Sequence, residues 1–336
     1  AERSEGLAHC ARRAGEMAER LARWRDAHDA GVIRWVEVFT QSAALRMTPL
    51  SIAAPFRRQL DGPPRAWIFT SATLAVRGDF GHYRDALGLD DADVACWASP
   101  FDYGANALVY LPPALPLPNS AEHTDAVVDA AVPVLAASRG RAFLLFTSLR
   151  AMRQAHVRLA GQLRAAGLDL PLLLQGEGSR SELLARFRRL GNGVLVASAS
   201  FWEGVDVRGE ALSVVVIDKL PFAPPDDPVL AARLEHLRRA GRNPFVEYQL
   251  PHAAIALKQG AGRLIRDEHD RGVLVLCDPR LLSKGYGRQL LDSLPPMPRT
   301  RSIADVAAFF AGATQRESPP PQCAARRRGA HTGGER

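Results

Sequence analysis

Four runs in the second half of the chain constrain its fold most: "AFLLFT", "GVLVAS", "LSVVVID" and "RGVLVLCD". Each is apolar at nearly every position, without the in–out alternation of a strand that keeps one wet face. Strands of that kind must be covered on both sides. Between and before them lie stretches of helical length, at about 121–138, 148–166, 179–190, 228–240 and 246–264, and "PLLL" reads as one more short strand. Antiparallel neighbours need only a tight turn, whereas parallel neighbours need crossovers of this length. The pattern predicts an α/β fold with a parallel sheet and helices on both faces. At 336 residues and 47% hydrophobic content the chain can fill cores for about two domains.

The first hundred residues are organised differently. Leu7, Cys10, Ala14, Met17, Leu21 and Trp24 recur at helical spacing, which predicts one amphipathic helix to about residue 30. "VIRWVEVF" and "AALRMTPL" read as two strands, and "PPRAWIFTSATLA" as a buried strand at 66–69 followed by a helical stretch. The proline-rich segment 99–120 reads as an extended bridge between two lobes. From about residue 313 large apolar residues almost vanish, so a solvated, disordered basic tail is expected, with contact to nucleic acid as the alternative for its three-arginine run.

Charge and cysteine usage narrow the function classes. The formal net charge is +7, but the last 21 residues hold five arginines against two glutamates, leaving only +4 for the rest. That mild bias is compatible with a phosphate backbone and demands none. Cys10, Cys96, Cys277 and Cys323 lie far apart with no C-x-x-C pair, which argues against a zinc or iron–sulfur site built from this segment and fits free thiols in a reducing compartment. No apolar run reaches the ~18 residues of a membrane span. The chain opens at Ala1 in a charged helix without an apolar leader, which reads as an internal start.

Ligands of doubly wound sheets sit beyond the carboxyl ends of strands, and four polar clusters fall at such expected ends: "FTSAT", "FTSLR", "SASFWEGVD" and "DKLPFAPP". Singly, a Ser or Thr after a strand is an ordinary helix N-cap; four in one sheet point to a binding edge. In "EGVD" the glycine fits a tight turn, but a turn does not account for Glu203 and Asp206. In "QGAGRLIRDEHD", Arg263 and Arg266 stand at i and i+3 with no acid four residues upstream of either. They are either cations solvating a helix C-terminus or guanidinium forks for a phosphate outside this segment. The neighbouring "DEHD" (267–270) imitates a magnesium-holding acidic box, but it follows a helix and precedes the strand, and so reads as a solvated turn. No G-x-x-x-x-G-K-[ST] occurs, and Lys219, Lys258 and Lys284 are the only lysines, so the segment has no phosphate cradle of that type.

Taken in order, "TSAT", "FTS", "EGVD" and "QGAGRLIR…D.GVLVLCDPR" resemble motifs III to VI of superfamily 2 helicases, in the form of the DinG/XPD branch and most like its bacterial YoaA-type members. The resemblance runs from about residue 31 to 312 and implies the C-terminal portion of an ATP-dependent 5′→3′ DNA helicase of repair or replication. It implies an arch-domain remnant helix at 1–30, the C-terminal part of a first RecA-like lobe at 31–104, and a second RecA-like lobe at 105–312, ahead of the tail at 313–336. ATP and Mg2+ would be bound mainly by a preceding lobe carrying the Walker A lysine and the DEAH-like box. A 4Fe–4S cluster would likewise have its ligands upstream.

Residue by residue, the resemblance implies that Gln259, Arg263 and Arg266 face the γ-phosphate, with one of the two arginines as the finger. Ser71, Thr73, Glu203, Gly204, Asp206 and Gly262 would couple hydrolysis to movement of the lobes. Thr147, Ser148 and Arg150 would contact single-stranded or forked DNA. Trp202 stands where the eukaryotic branch has Ser, and either stacks on a base or packs in the core. The implied partners are DNA and a replication or repair protein, with no membrane, and the implied location is a bacterial cytoplasm at the nucleoid. On this reading the segment alone neither hydrolyses ATP nor unwinds DNA. The alternative reading is a RecA-like module that binds nucleic acid or docks a partner without ATPase activity.

Overall fold

The computed structural model describes residues 4–26, 31–198, 201, 211–224 and 226–314. Trp202, Glu203, Gly204 and Asp206, and the tail beyond residue 314, lie outside them. The chain opens with helix α1 (Glu5–Asp26), which has no buried residue, and the antiparallel pair β1 (Val32–Val38) and β2 (Ala43–Pro49). The indole of Trp24 donates to the Arg46 carbonyl, and the Arg34 guanidinium lies over its ring, so α1 is tied to this hairpin. Two short helices follow, α2 (Ala53–Leu60) and α3 (Gly81–Leu87).

The strand expected at 66–69 does not form. A strand needs a neighbour for its backbone groups, and among the described residues none pairs with this segment. Trp67 and Phe69 instead stack on each other beside Phe56, while Ile68 is 82% exposed. The reading of 99–120 is corrected as well. One helical turn, α4 (Tyr103–Asn106), leads directly into a fully buried strand, β3 (Ala107–Tyr110), before the proline-rich stretch begins.

From there the expected alternation holds: α5 (His123–Ser138), β4 (Ala142–Phe146), α6 (Leu149–Ala165), β5 (Leu172–Leu174), α7 (Arg180–Leu190), β6 (Val194–Ser198) and β7 (Val214–Ile217). Next come α8 (Pro228–Arg239), a π turn at Phe245–Gln249 that continues as α9 (Leu250–Ala261), and β8 (Gly272–Leu276). The fold closes with α10 (Arg280–Ser283), α11 (Gly285–Asp292), β9 (Arg299–Thr300) and α12 (Ile303–Thr314). The seven strands β3–β9 form one parallel sheet in the order β5-β6-β4-β7-β8-β3-β9.

Two apolar layers show why the strands lack polar alternation. Phe143 and Leu145 of β4 face a core shared with α7, α9 and α11, whereas Ala142, Leu144 and Phe146 face one shared with α5, α6 and α12. At about 25 cal/mol per Å2 of apolar surface, both faces of each central strand contribute to stability. The connection after β4 runs toward β5 and the one after β7 toward β8, so the adjacent pair β4–β7 is where the winding direction reverses. Open α/β sheets place their ligand crevice outside the carboxyl ends of such a pair.

Candidate functional site

At that reversal the chain leaves β4 as Thr147-Ser148 and leaves β7 as Asp218-Lys219. Ser148 is the N-cap of α6, its Oγ accepting from the Ala151 N–H, so the capping reading holds for it. Its hydroxyl proton can still be donated outward. Thr147 is held from the next strand: its N–H donates to Asp218 Oδ1 at 3.0 Å and its hydroxyl to Asp218 Oδ2 at 3.4 Å. The Lys219 N–H donates to the same Oδ1 at 2.8 Å. Arg150 is exposed on the first turn of α6, beside this edge.

Asp218 is only 1% exposed, and burial pushes its carboxyl up to about 7, against the opposing pull of Lys219 and of the hydrogen bonds from Lys219 and Thr147. The buried His123 of α5 lies beneath it, with Nε2 3.0 Å from the Asp218 carbonyl and Nδ1 2.9 Å from the Pro116 carbonyl. On the far side Asp278, after β8, accepts from the Leu220 N–H at 2.8 Å and holds the Arg280 guanidinium through both oxygens. Arg280 in turn lies over Phe222, which meets Phe245 and Tyr286. On the other flank Gln175 Oε1 accepts from the backbone N–H and the hydroxyl of Ser198, after β6. Strand-end polar groups thus bind one strand's exit to its neighbour's.

The arginine segment lies elsewhere. Helix α9 ends at Ala261 with Gly262 as C-cap, so Arg263 and Arg266 stand in the loop after the helix and not on one of its turns, contrary to the expected helix to 264. Gln259 is half-buried on the last turn of α9. Leu264 and Ile265 between the arginines are core residues, 1% and 3% exposed, and they anchor the loop. Asp270 is buried too: Oδ2 accepts from the Arg266 N–H at 2.7 Å and the Asp267 N–H at 2.8 Å. The solvated-turn reading of "DEHD" therefore holds for the exposed Asp267, Glu268 and His269 but fails for Asp270, which staples the turn. The loop precedes β8, whereas Thr147 follows β4. In a parallel sheet of five-residue strands these are opposite ends of the strands, roughly 16 Å apart along the strand direction.

Ser71 and Thr73 share an exposed turn, their hydroxyls 3.1 Å apart, and among the described residues no hydrogen bond links either to the seven-stranded sheet. The structure thus brings Thr147, Ser148 and Arg150 together at one edge and Gln259, Gly262, Arg263 and Arg266 at the other. Sequence reasoning assigned no work to Asp218, Asp270, Asp278 or His123. For Asp218 and Asp278 a signal existed, since each is an acid placed directly behind an unbroken apolar strand.

For a nucleotide, this segment offers the guanidinium groups of the 263–266 loop, and its sequence has no glycine-rich phosphate cradle. Among the described residues no three His, Cys, Asp or Glu side chains gather as metal ligands. No described helix is long and apolar enough to cross a membrane.

Residues 131–297 match the family model for a helicase C-terminal domain. The chain is 48% identical over 292 residues to the ATP-dependent DNA helicase YoaA of Escherichia coli, covering 87% of this chain and 45% of that protein. It is 37% identical over 276 residues to the ATP-dependent helicase DinG of Mycobacterium tuberculosis, covering 79% and 40%. A solved XPD helicase superimposes over 80% of this chain and 48% of its own, with a TM-score of 0.57 and 18% identity, which establishes the RecA-like fold. The chain spans a little under half the length of these relatives.

Proposed function

The chain carries a helicase C-terminal domain and is a homologue of the YoaA and DinG helicases, and on that premise we propose that it supplies the second motor lobe of an ATP-dependent DNA helicase. Residues 105–312 are that lobe, 31–104 the end of the first, and 1–30 a helix of the arch. The enzyme works on single-stranded or forked DNA in the cytoplasm, moving 5′→3′, in repair or replication. Thr147, Ser148 and Arg150 meet the DNA backbone. Ser71, Thr73, Glu203, Gly204, Asp206 and Gly262 couple nucleotide state to lobe movement, and Trp202 serves either as a base-stacking contact to DNA or as core packing. Gln259, Arg263 and Arg266 face the triphosphate of an ATP·Mg2+ held mainly by the first lobe.

One observation supports this reading most: the two motif groups lie at opposite ends of the strands of a single sheet. A motor needs this separation, because nucleotide closure must move a DNA grip held elsewhere. Helix-N-cap and solvation roles do not require the arginine loop to be pinned by Leu264, Ile265 and Asp270.

The test joins this segment to the preceding part of its gene product and measures DNA-stimulated ATP hydrolysis for wild type and Arg263→Ala. A finger contributes about 10³–10⁵ in turnover in related phosphoryl-transfer systems, so a fall of about a thousandfold is expected. Unchanged turnover removes the finger role of Arg263. The 336-residue chain alone is expected to show no ATPase; turnover by purified chain contradicts the division of labour between lobes.

A further inference from the structure

We propose that Asp218 is the positioning residue of the DNA-contact turn: its buried carboxylate, reaching from β7 to the exit of β4, holds Thr147 and Ser148 in the orientation that meets a single strand. The inference rests on the assignment of Thr147 and Ser148 to DNA contact. Nothing in the motif pattern gave Asp218 a task, and it touches no site where a nucleotide or DNA would lie, being 1% exposed.

The geometry is specific. One carboxylate accepts from three donors, the N–H and hydroxyl of Thr147 and the N–H of Lys219. Thr147 is the last residue before the α6 N-cap, so fixing its N–H and its χ1 also fixes the direction in which Ser148 enters the helix. A hydroxyl engaged as donor to Asp218 turns its lone pairs, and the methyl group, to a defined side. Protonation at Oδ2 leaves Oδ1 accepting both N–H groups but reverses the third bond, because the Thr147 hydroxyl must then accept the carboxyl proton and turn its own hydrogen elsewhere.

Around this carboxylate among the described residues are Thr147 at the exit of β4, Lys219 on its own strand exit and Cys277 just after β8, while His123 of α5 meets the Asp218 main-chain carbonyl and Asp278 is engaged by Arg280. Burial outweighs the favourable partners and brings the carboxyl to about 7. Above that pH the Thr147 hydroxyl is held as donor to Asp218 with its lone pairs turned outward, and below it the hydroxyl is reversed.

The test uses the 336-residue chain, wild type and Asp218→Asn, with two readouts. In TROSY spectra the Thr147 and Lys219 amide shifts of wild type should titrate together with a midpoint near 7, and stay flat in Asp218→Asn. By fluorescence anisotropy on labelled oligothymidylate, wild type should bind about five- to tenfold more tightly than Asp218→Asn at about pH 8, consistent with about one hydrogen bond's worth of orientation. That ratio should close toward one as the pH falls through 7. Histidines that charge over the same range affect both proteins alike and cancel in the ratio. Equal affinities at every pH, in a wild type that binds the strand and loses affinity on Thr147→Val, overturn the proposal and leave the site assignment standing. A wild type that does not bind overturns both. If Asp218→Asn fails to fold, the wild-type curves decide: amide and affinity midpoints that differ overturn the proposal, and coincident ones support it.

Discussion

Asp270→Ala tests whether the arginine loop is built or merely solvated. In the folded chain one oxygen of this carboxylate accepts from two consecutive backbone N–H groups, those of Arg266 and Asp267, at 2.7 and 2.8 Å, and the residue is 6% exposed. Removing the acceptor leaves two donors without it in a loop pinned by Leu264 and Ile265. A buried donor left unsatisfied costs about 1–3 kcal/mol. Because the loop can open to let water reach part of this site, the expected loss is about 2–4 kcal/mol, near one and a half such groups. At about 2–4 °C per kcal/mol for a unit of this size, Tm should fall by about 4–16 °C. Asp270→Asn keeps one acceptor and loses about 1 kcal/mol. Urea melts at fixed pH with both variants give the comparison, and hydrogen exchange at Arg266 and Asp267 should accelerate in Asp270→Ala. A surface acid would change stability by no more than about 0.5 kcal/mol. A shift of that size for Asp270→Ala, or equal losses for Ala and Asn, refutes the staple.

Four further outcomes are expected. Gly140 joins α5 to β4 at φ +81, and a Cβ there would lie 2.0 Å from the Asn192 carbonyl oxygen, so Gly140→Ala should lose more than about 4 kcal/mol or fail to yield folded protein on circular dichroism. A Cβ on Gly272 would meet Leu264 Cδ1 at 2.4 Å and the Ser213 carbonyl oxygen at 2.7 Å, so Gly272→Ala should cost about 3 kcal/mol or more in a urea melt. Gly312→Ala, in α12 with nothing within 4 Å of its Cβ, should be neutral or gain up to about 1 kcal/mol by the same measurement. The Asp218 carboxyl, raised from 3.8 to about 7, binds its proton more tightly in the folded state, so its contribution is full below 3.8 and is lost as pH rises through 7. The total is at most about 4 kcal/mol. Relative to wild type, Asp218→Asn should therefore gain stability between about pH 4 and pH 7, and a difference independent of pH would count against the raised value.

Much of the fold was legible in local pattern. The apolar strands at 142–146, 194–198, 214–217 and 272–276 had to be buried on both faces, and crossovers of helical length had to make them parallel. Ser179 and Glu182 even close a capping box at the start of α7, a feature written within four residues. The order of the motifs, a property of the linear chain, points to a DinG/XPD-type helicase segment. These properties depend on side-chain period and short-range chemistry, which a linear chain displays directly.

Partnership was decided only by the tertiary structure. "ALVY" became the buried strand β3 because β8 and β9 pair with it on either side, while "AWIF", no less apolar, stayed irregular, with no strand alongside it among the described residues. Asp218 and Thr147 are 71 residues apart, and Asp278 and Leu220 are 58 apart, so no local spacing announces that each pair shares a hydrogen bond. Arg263 and Arg266 lost their helical phase because Leu264 and Ile265 were drawn into the core and Asp270 took up the backbone that α9 released. A ladder partner or a buried acceptor is supplied by distant chain, and until the sheet assembles the same residues have only water to bond.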